Sequence, residues 1–211
     1  MIALMTDFGT QDTYVGVMKG VMSRIDPTAS FVDITHAIQP QRIKQAAVAL
    51  KNAYSYFPVG TVFLVVIDPG VGSTRKPIAV KAGGYYFIAP DNGVLSYALA
   101  QIDEAPQIVH LSKAEFQLVA VSNTFHGRDI FAPAAAYLHK NVPMSELGES
   151  LASLNKLSAP RLVITERQIE GEVIHIDHFG NVITSIGELK WQDANSLLLS
   201  SSFSTEIQEV S

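Results

Sequence analysis

The chain of 211 residues contains no cysteine. That absence excludes disulfide frameworks, cysteine nucleophiles and thiolate metal sites, and it fits a cytoplasmic address. No apolar run approaches the roughly 18 residues of a membrane span, and no charged segment precedes an apolar stretch at Met1. Charge is scarce as well, at 17% of residues against roughly 25% in an ordinary soluble domain. Such a surface is expected either of a subunit that buries itself in an oligomer or of a protein with a part missing. The net charge of −5 speaks against nucleic acid as the main partner. Internal repeats, charge blocks and coiled-coil seams are all lacking. There is no Gly-Lys-Ser/Thr of a Walker loop, and Gly70-Val71-Gly72 is not followed by the helix that a dinucleotide fingerprint needs. With 47% hydrophobic residues, however, the chain has enough apolar content to offset its conformational entropy, which excludes disorder.

What is present alternates between strand and helix patterns. Ile2 to Met5 is apolar and stops at Thr6-Asp7-Phe8-Gly9. Tyr14, Val17, Met18, Val21, Met22 and Ile25 then fall on one helical face, closed by Asp26-Pro27. Phe31 to Ile34 reads as a short strand, and Ile43, Ala46, Ala47, Leu50 and Tyr54 predict a second helix. Thr61 to Ile67 is a continuous β-branched and aromatic run, as in a strand covered on both faces. Ile78–Val80 and Tyr85–Ile88 predict paired strands around Gly83-Gly84. This β-α-β-α-β order predicts an α/β sandwich with a largely parallel sheet over residues 1–155. Residues 156–168 read as a linker, and residues 169–211 as a small β domain with a turn at Asp177-His178-Phe179-Gly180-Asn181.

Polar residues cluster where the apolar runs stop, and ligands of open α/β sheets bind at the carboxyl ends of strands. Asp7, Asp68, Asp91, His126 and Asp129 therefore become candidates for one cleft. Each has a purely structural counterpart. Asp7 can cap a turn, Asp68 before Pro-Gly is an ordinary turn signature, and Asp91-Asn92-Gly93 reads best as a plain turn. His126 can be a hydrogen-bonded structural histidine, Arg75 a solvated loop residue, and Asp33 with His36 a local polar contact. Composition and spacing leave three classes open: a phosphohydrolase whose carboxylates hold Mg²⁺ or Mn²⁺, an enzyme in which Asp, Arg and His handle water without a metal, and a binding module.

Five motifs narrow the choice. They are Met5-Thr6-Asp7-Phe8-Gly9-Thr10, Val66-Ile67-Asp68-Pro69-Gly70-Val71-Gly72-Ser73, Ala89-Pro90-Asp91-Asn92-Gly93, Thr124-Phe125-His126-Gly127-Arg128-Asp129 and Asp177-His178-Phe179-Gly180-Asn181-Val182-Ile183-Thr184. In this order they resemble the S-adenosylmethionine hydroxide adenosyltransferase family, hydrolytic relatives of the bacterial fluorinase and chlorinase. The resemblance implies an N-terminal α/β domain, a C-terminal β domain, and a homotrimer with active sites between subunits. It implies a small-molecule substrate, S-adenosylmethionine, cleaved by water to adenosine and methionine with no metal and no cofactor. Under it Asp68, Arg75 and His126 handle the water and Asp7 binds ribose. Thr124, Phe125 and Gly127 lie near the nucleophile pocket, while Asp177, Phe179 and Asn181 meet the methionine end. Halogenating relatives carry a non-acidic residue at the position of Asp68, and the fluorinase a serine at that of Gly127. This chain has neither change, so hydroxide is expected rather than halide.

Relatives of that family run further at the C-terminus, where their pattern supplies much of the adenine pocket. The 43 residues from Ile169 to Ser211 stand near the roughly 40-residue limit for an independently stable domain. The expectation for this end is a shortened β domain that leans on its neighbours. The alternative function that follows is a trimeric protein that binds adenosine or S-adenosylmethionine with impaired turnover.

Overall fold

The computed structural model describes residues 1–165, 168–193, 197–201, 203 and 207–210. The chain divides into two compact units, Met1–Leu157 and Ser158–Ser211. In the first, strands β1 (Ile2–Thr6), β2 (Phe31–Thr35), β3 (Val62–Val66), β4 (Pro77–Ala82), β5 (Tyr85–Pro90), β6 (Gln107–His110) and β7 (Glu149–Ser150) form one sheet in the order β2-β1-β3-β5-β4-β6-β7. β2, β1, β3 and β5 pair in parallel, and β4 runs antiparallel to both β5 and β6. Five strands thus share one direction, and only β4 and β7 oppose it. The pairing of β4 with β5 around Gly83-Gly84 is the hairpin that the sequence pattern predicts.

Helices cover both faces of this sheet, so β3 is apolar at every position and β1 at all but Thr6. Along β1, Ile2 and Leu4 enter one core and Ala3 and Met5 the other, as the two-residue period of a strand requires. β3 repeats the division, with Val62, Leu64 and Val66 on one face and Phe63, Val65 and Ile67 on the other. Helices α1 (Tyr14–Ile25) and α4 (Ala132–His139) pack on the first face. Helices α2 (Ile43–Ala53) and α3 (Ser96–Leu99) pack on the second. α4 buries Ala132, Ala134, Ala135 and Ala136, whose small side chains let its backbone lie close to its neighbours. Helix α1 corrects the expected face: Val15, Met18 and Met22 are buried, whereas Tyr14 and Val17 stay 45% and 43% exposed.

The second unit is made of antiparallel strands. β8 (Leu162–Thr165) pairs with β9 (Gln168–Gly171), β10 (Val173–Ile176) with β11 (Val182–Thr184), and β12 (Glu188–Trp191) with β13 (Leu197–Ser200), which pairs with β14 (Ile207–Val210). The stretch 156–168, expected as a linker, thus contains strand β8. Its apolar Val163 and Ile164 pair with Glu170 and Ile169. Among the described residues no helix is long and apolar enough to cross a membrane.

Asp26 closes α1 at the sheet edge where β1 begins. It is buried, accepts both the backbone N–H and the hydroxyl of Thr28 on Oδ1, and meets His139 Nδ1 at 2.7 Å through Oδ2. The His139 hydrogen bond first, and Thr28 second, hold its carboxyl down to about 2 from 3.8. A depressed carboxyl stabilises the fold above its unfolded value and loses that contribution as pH falls through its folded value. Asp26→Asn is expected to cost about 1–3 kcal/mol at neutral pH in urea denaturation. The gap from wild type should close as pH falls from 3.8 to about 2.

Candidate active site

Because β1, β2, β3, β5 and β6 share a direction, Thr6, Thr35, Val66, Pro90 and His110 end at one edge of the sheet. The reversed strand β4 begins at that same edge, which brings Arg75 back to where β3 releases Asp68. Arg75 donates Nε–H to Asp68 Oδ1 at 2.9 Å and Nη2–H to Asp68 Oδ2 in a two-point pair. Both side chains are buried, at 9% and 6% exposure, so Arg75 is no solvated loop residue. The second Nη2–H lies 2.8 Å from His126 Nδ1. An arginine can only donate, so Nδ1 must accept, and His126 is a neutral imidazole with its hydrogen on Nε2. Burial first, and the Arg75 charge second, push the His126 pKa down, which agrees with that assignment. Among the described residues the two Nη1–H groups of Arg75 have no hydrogen-bond partner.

The surrounding loops hold this cluster from several sides. Residues 127–131 form a π-helical turn leading into α4, a widened geometry often found at functional sites. Its buried Phe131 lies under the Arg75 guanidinium, 5.2 Å from Cζ to ring centroid. Asn92 donates its side-chain N–H to the Ile67 carbonyl at 2.8 Å, fixing the backbone just before Asp68. Gly72, at φ +75°, lets the Asp68 loop touch the loop before His126: a Cβ there would stand 2.6 Å from the Asn123 carbonyl oxygen.

Beside the cluster, Phe8, Tyr14, Met18, Phe125, Gly127 and Arg128 contribute to the wall of a cavity of about 340 Å³, completed in part by Thr124. That volume lies within the range of small-molecule sites. His126 sits in the chain between two lining residues. Phe8 and Tyr14 meet edge to face at 6.0 Å, Tyr14 and Phe125 lie 5.9 Å apart, and the Arg128 guanidinium stacks 5.0 Å over Phe125. Arg75 also borders a second, polar cavity of about 510 Å³ with Ser73, Thr74, Lys76, Asp91 and Asn155.

The sequence candidates fall into distinct places. Asp68, Arg75 and His126 come together, and Thr124, Phe125 and Gly127 share the aromatic cavity. Asp7 accepts the Gln41 backbone N–H on Oδ2 at 2.9 Å. In the second unit Asp177 accepts backbone N–H groups of Phe179 and Asn181 and the Asn181 side-chain amide, leaving Phe179 87% exposed at the tip. The Asn181 side chain is the main cause that lowers the Asp177 pKa. Asp91 does not enter an open cleft as a free group: both its oxygens bond Asn155. Asp129 is corrected more sharply, being fully buried beneath Arg128 and Ser122. Asp33 and His36 make the expected local contact, 3.1 Å apart, with His36 also bonded to Thr6. Phe8, Tyr14, Val17, Met18 and Arg128 were not among the sequence candidates. The unusually broad apolar stripe of α1 is the signal that part of it serves a cavity wall rather than the core.

An α/β sheet carrying a buried Asp–Arg pair joined to a half-buried histidine beside a ligand-sized aromatic cavity defines a small-molecule enzyme site. Residues 2–148 match the model of the SAM hydroxide adenosyltransferase N-terminal domain, and the chain belongs to that family. It is 38% identical over 183 residues to an (R)-S-adenosyl-L-methionine hydrolase of Salinispora tropica, covering 86% of this chain and 70% of that protein. With the protein of the same name from Thermus thermophilus it shares 39% identity over 193 residues, 88% of this chain and 74% of the other. A crystal structure of an uncharacterized conserved protein from Thermotoga maritima superposes with a TM-score of 0.83 at 43% identity, covering 88% of this chain and 71% of that one.

Removing one member of a buried ion pair strands the other. Arg75→Met alone is expected to cost about 3–5 kcal/mol in urea denaturation. Combined with Asp68→Asn it should cost clearly less than the sum of the two single changes, which a double-mutant cycle measures.

Proposed function

We propose that this chain hydrolyses S-adenosylmethionine to adenosine and methionine, by attack of water at C5′ and without a metal or other cofactor. The observation that carries this reading is the single guanidinium that engages both oxygens of Asp68 and the Nδ1 of His126 beside the aromatic cavity. Hydrolases of this name at 38% and 39% identity support it. The pairing of both Asp68 oxygens with the positive Arg75 guanidinium supports the metal-free form, since that charge disfavours a second cation there.

In the proposed step the water oxygen bonds C5′ while the C5′–S bond breaks and its electron pair returns to sulfur. The sulfonium becomes a neutral thioether, so no acid is required for departure. A carboxylate is a weak base, and free water does not surrender a proton to it readily. Asp68 therefore orients the water through its remaining lone pairs, and the unengaged Nη1–H groups of Arg75 stabilise the oxygen as it becomes hydroxide-like. Proton loss accompanies attack, and the proton passes to solvent. His126, engaged as an acceptor by Arg75, contributes by holding that guanidinium in place. Asp7, with Oδ1 still available, binds the ribose hydroxyls and holds C5′ in line, and this positioning supplies a large share of the rate. Thr124, Phe125 and Gly127 shape the nucleophile pocket, and Asp177, Phe179 and Asn181 receive the methionine end.

Incubation with S-adenosylmethionine in EDTA should release adenosine and methionine in equal amounts, and H₂¹⁸O should label the 5′-hydroxyl of adenosine. Asp68→Asn and Arg75→Ala should each slow release by roughly 10²–10⁴-fold. Tight binding of S-adenosylmethionine by calorimetry with no adenosine released would identify a binding protein instead, and loss of activity in EDTA a metal enzyme. The working unit is further proposed to be a homotrimer with sites at subunit interfaces. The low charge and the exposed apolar Tyr14, Val119 and Val121 support this. Sedimentation equilibrium should give three times the 22.9 kDa chain mass.

A further inference from the structure

His36 is a buried histidine that the chemistry above does not use. It follows β2 at the edge of the sheet where β1 releases Asp7. A bulge in the pairing of these strands, Leu4 with Asp33 but Met5 with Thr35, advances β2 by one residue and brings His36 level with Thr6. Thr6 is fully buried, and its hydroxyl has two partners. It meets His36 Nδ1 at 2.9 Å and accepts the backbone N–H of Phe8 at 3.2 Å. The His36 carbonyl accepts the Gly9 N–H at 2.8 Å. One residue thus grips the turn after β1 on both sides of Asp7 and Phe8.

The loop that His36 begins also reaches Asp7 itself. Gln41 donates its backbone N–H to Asp7 Oδ2 at 2.9 Å, and it does so at φ +67°, in the left-handed region that a side chain disfavours. Such a conformation persists where the surrounding structure imposes it. With Oδ2 held in this way, Oδ1 is the oxygen left for a ligand. Behind the imidazole, Nε2 lies 3.1 Å from Asp33 Oδ1 but out of line for a hydrogen bond, and Asp33 pairs through Oδ2 with Lys19 Nζ at 2.7 Å. The buried ring therefore directs its hydrogen bond to the turn that carries Asp7 rather than to its own neighbour.

We propose that His36 is a positioning residue for the ribose: through Thr6 and the 36–42 loop it sets the Asp7 carboxylate against the ribose hydroxyls and so holds C5′ in line for displacement. This rests on the reading of Asp7 as the ribose-binding carboxylate. A misplacement of about 1 Å in such a contact can cost roughly 10²-fold in rate, so a residue that never touches the substrate can govern turnover.

The test compares two substrates on the full chain, S-adenosylmethionine and its 2′,3′-dideoxyribose analogue, which has no hydroxyls for Asp7 to hold. His36→Ala should lower kcat/KM for S-adenosylmethionine by roughly 10²-fold and leave cleavage of the analogue close to the wild-type rate on that analogue. His36→Asn, whose side-chain amide reaches the place of Nδ1, should recover part of the loss. Thr6→Val removes the hydroxyl at nearly constant size and should repeat the pattern of His36→Ala, and combining the two should add little. Calorimetric binding of adenosine and of 2′,3′-dideoxyadenosine is measured on the same proteins. Equal losses on both substrates overturn the proposal, because they mark a general disturbance of the site. So does a wild-type kcat/KM for His36→Ala on S-adenosylmethionine. Failure of both His36→Ala and Thr6→Val to fold overturns it as well, the contact then serving the fold rather than the ribose. If the wild type releases no adenosine, the hydrolytic reading fails, while the binding comparison still decides the role of His36.

Discussion

A guanidinium has five donors and no acceptor, and that one-sidedness organises the site. Arg75 spends three of its N–H groups on Asp68 and His126, which dictates a carboxylate on one side and an unprotonated Nδ1 on the other. Both side chains of the ion pair are buried, so losing either would strand the other's charge. The neighbouring structure can be understood as support for this arrangement. Phe131 lies under the guanidinium, Asn92 ties down the backbone ahead of Asp68, and Gly72 allows the two loops to touch. Two N–H groups remain over, and they are the only part of Arg75 that is unspoken for among the described residues.

The sheet makes this meeting possible by reversing one strand. Asp68 leaves β3 at the carboxyl edge, and a fully parallel sheet would deliver the start of the next strand to the opposite edge. β4 instead runs back against β5, so Arg75, just before it, arrives beside Asp68. His126 comes from the long connection after β6, which ends at the same edge. The ends of β3 and β4 and the distant loop carrying His126 therefore converge at one edge of the sheet. The price of admission is borne by loops that need Gly72 and a π turn, both departures from regular geometry.

Much of the fold was legible before the structure. The run at 61–67 follows from burial on two faces, the helix over 43–53 from its one-sided apolar period, and the hairpin from the strand patterns on either side of Gly83-Gly84. The site was legible only by family resemblance. Taken singly, Asp68, Arg75 and His126 each had an adequate structural reading, since no local pattern records that residues 7 and 51 positions apart will meet. The same limit explains the errors. Asp129 follows His126 closely in sequence, yet the turn points it inward to Ser122 and Arg128. Tyr14 and Val17 share the helical face of Met18 and Met22 by period, and hydropathy does not distinguish a core face from a cavity wall.

By itself the sequence determined the layering, the strand and helix types and the family, because apolar period and short ordered motifs are local properties of the chain. Tertiary structure decided which polar residues share a site, which aspartates are anchors, and which nitrogen of His126 carries the proton. Those are matters of pairing across distance, settled by where a donor with no acceptor comes to rest.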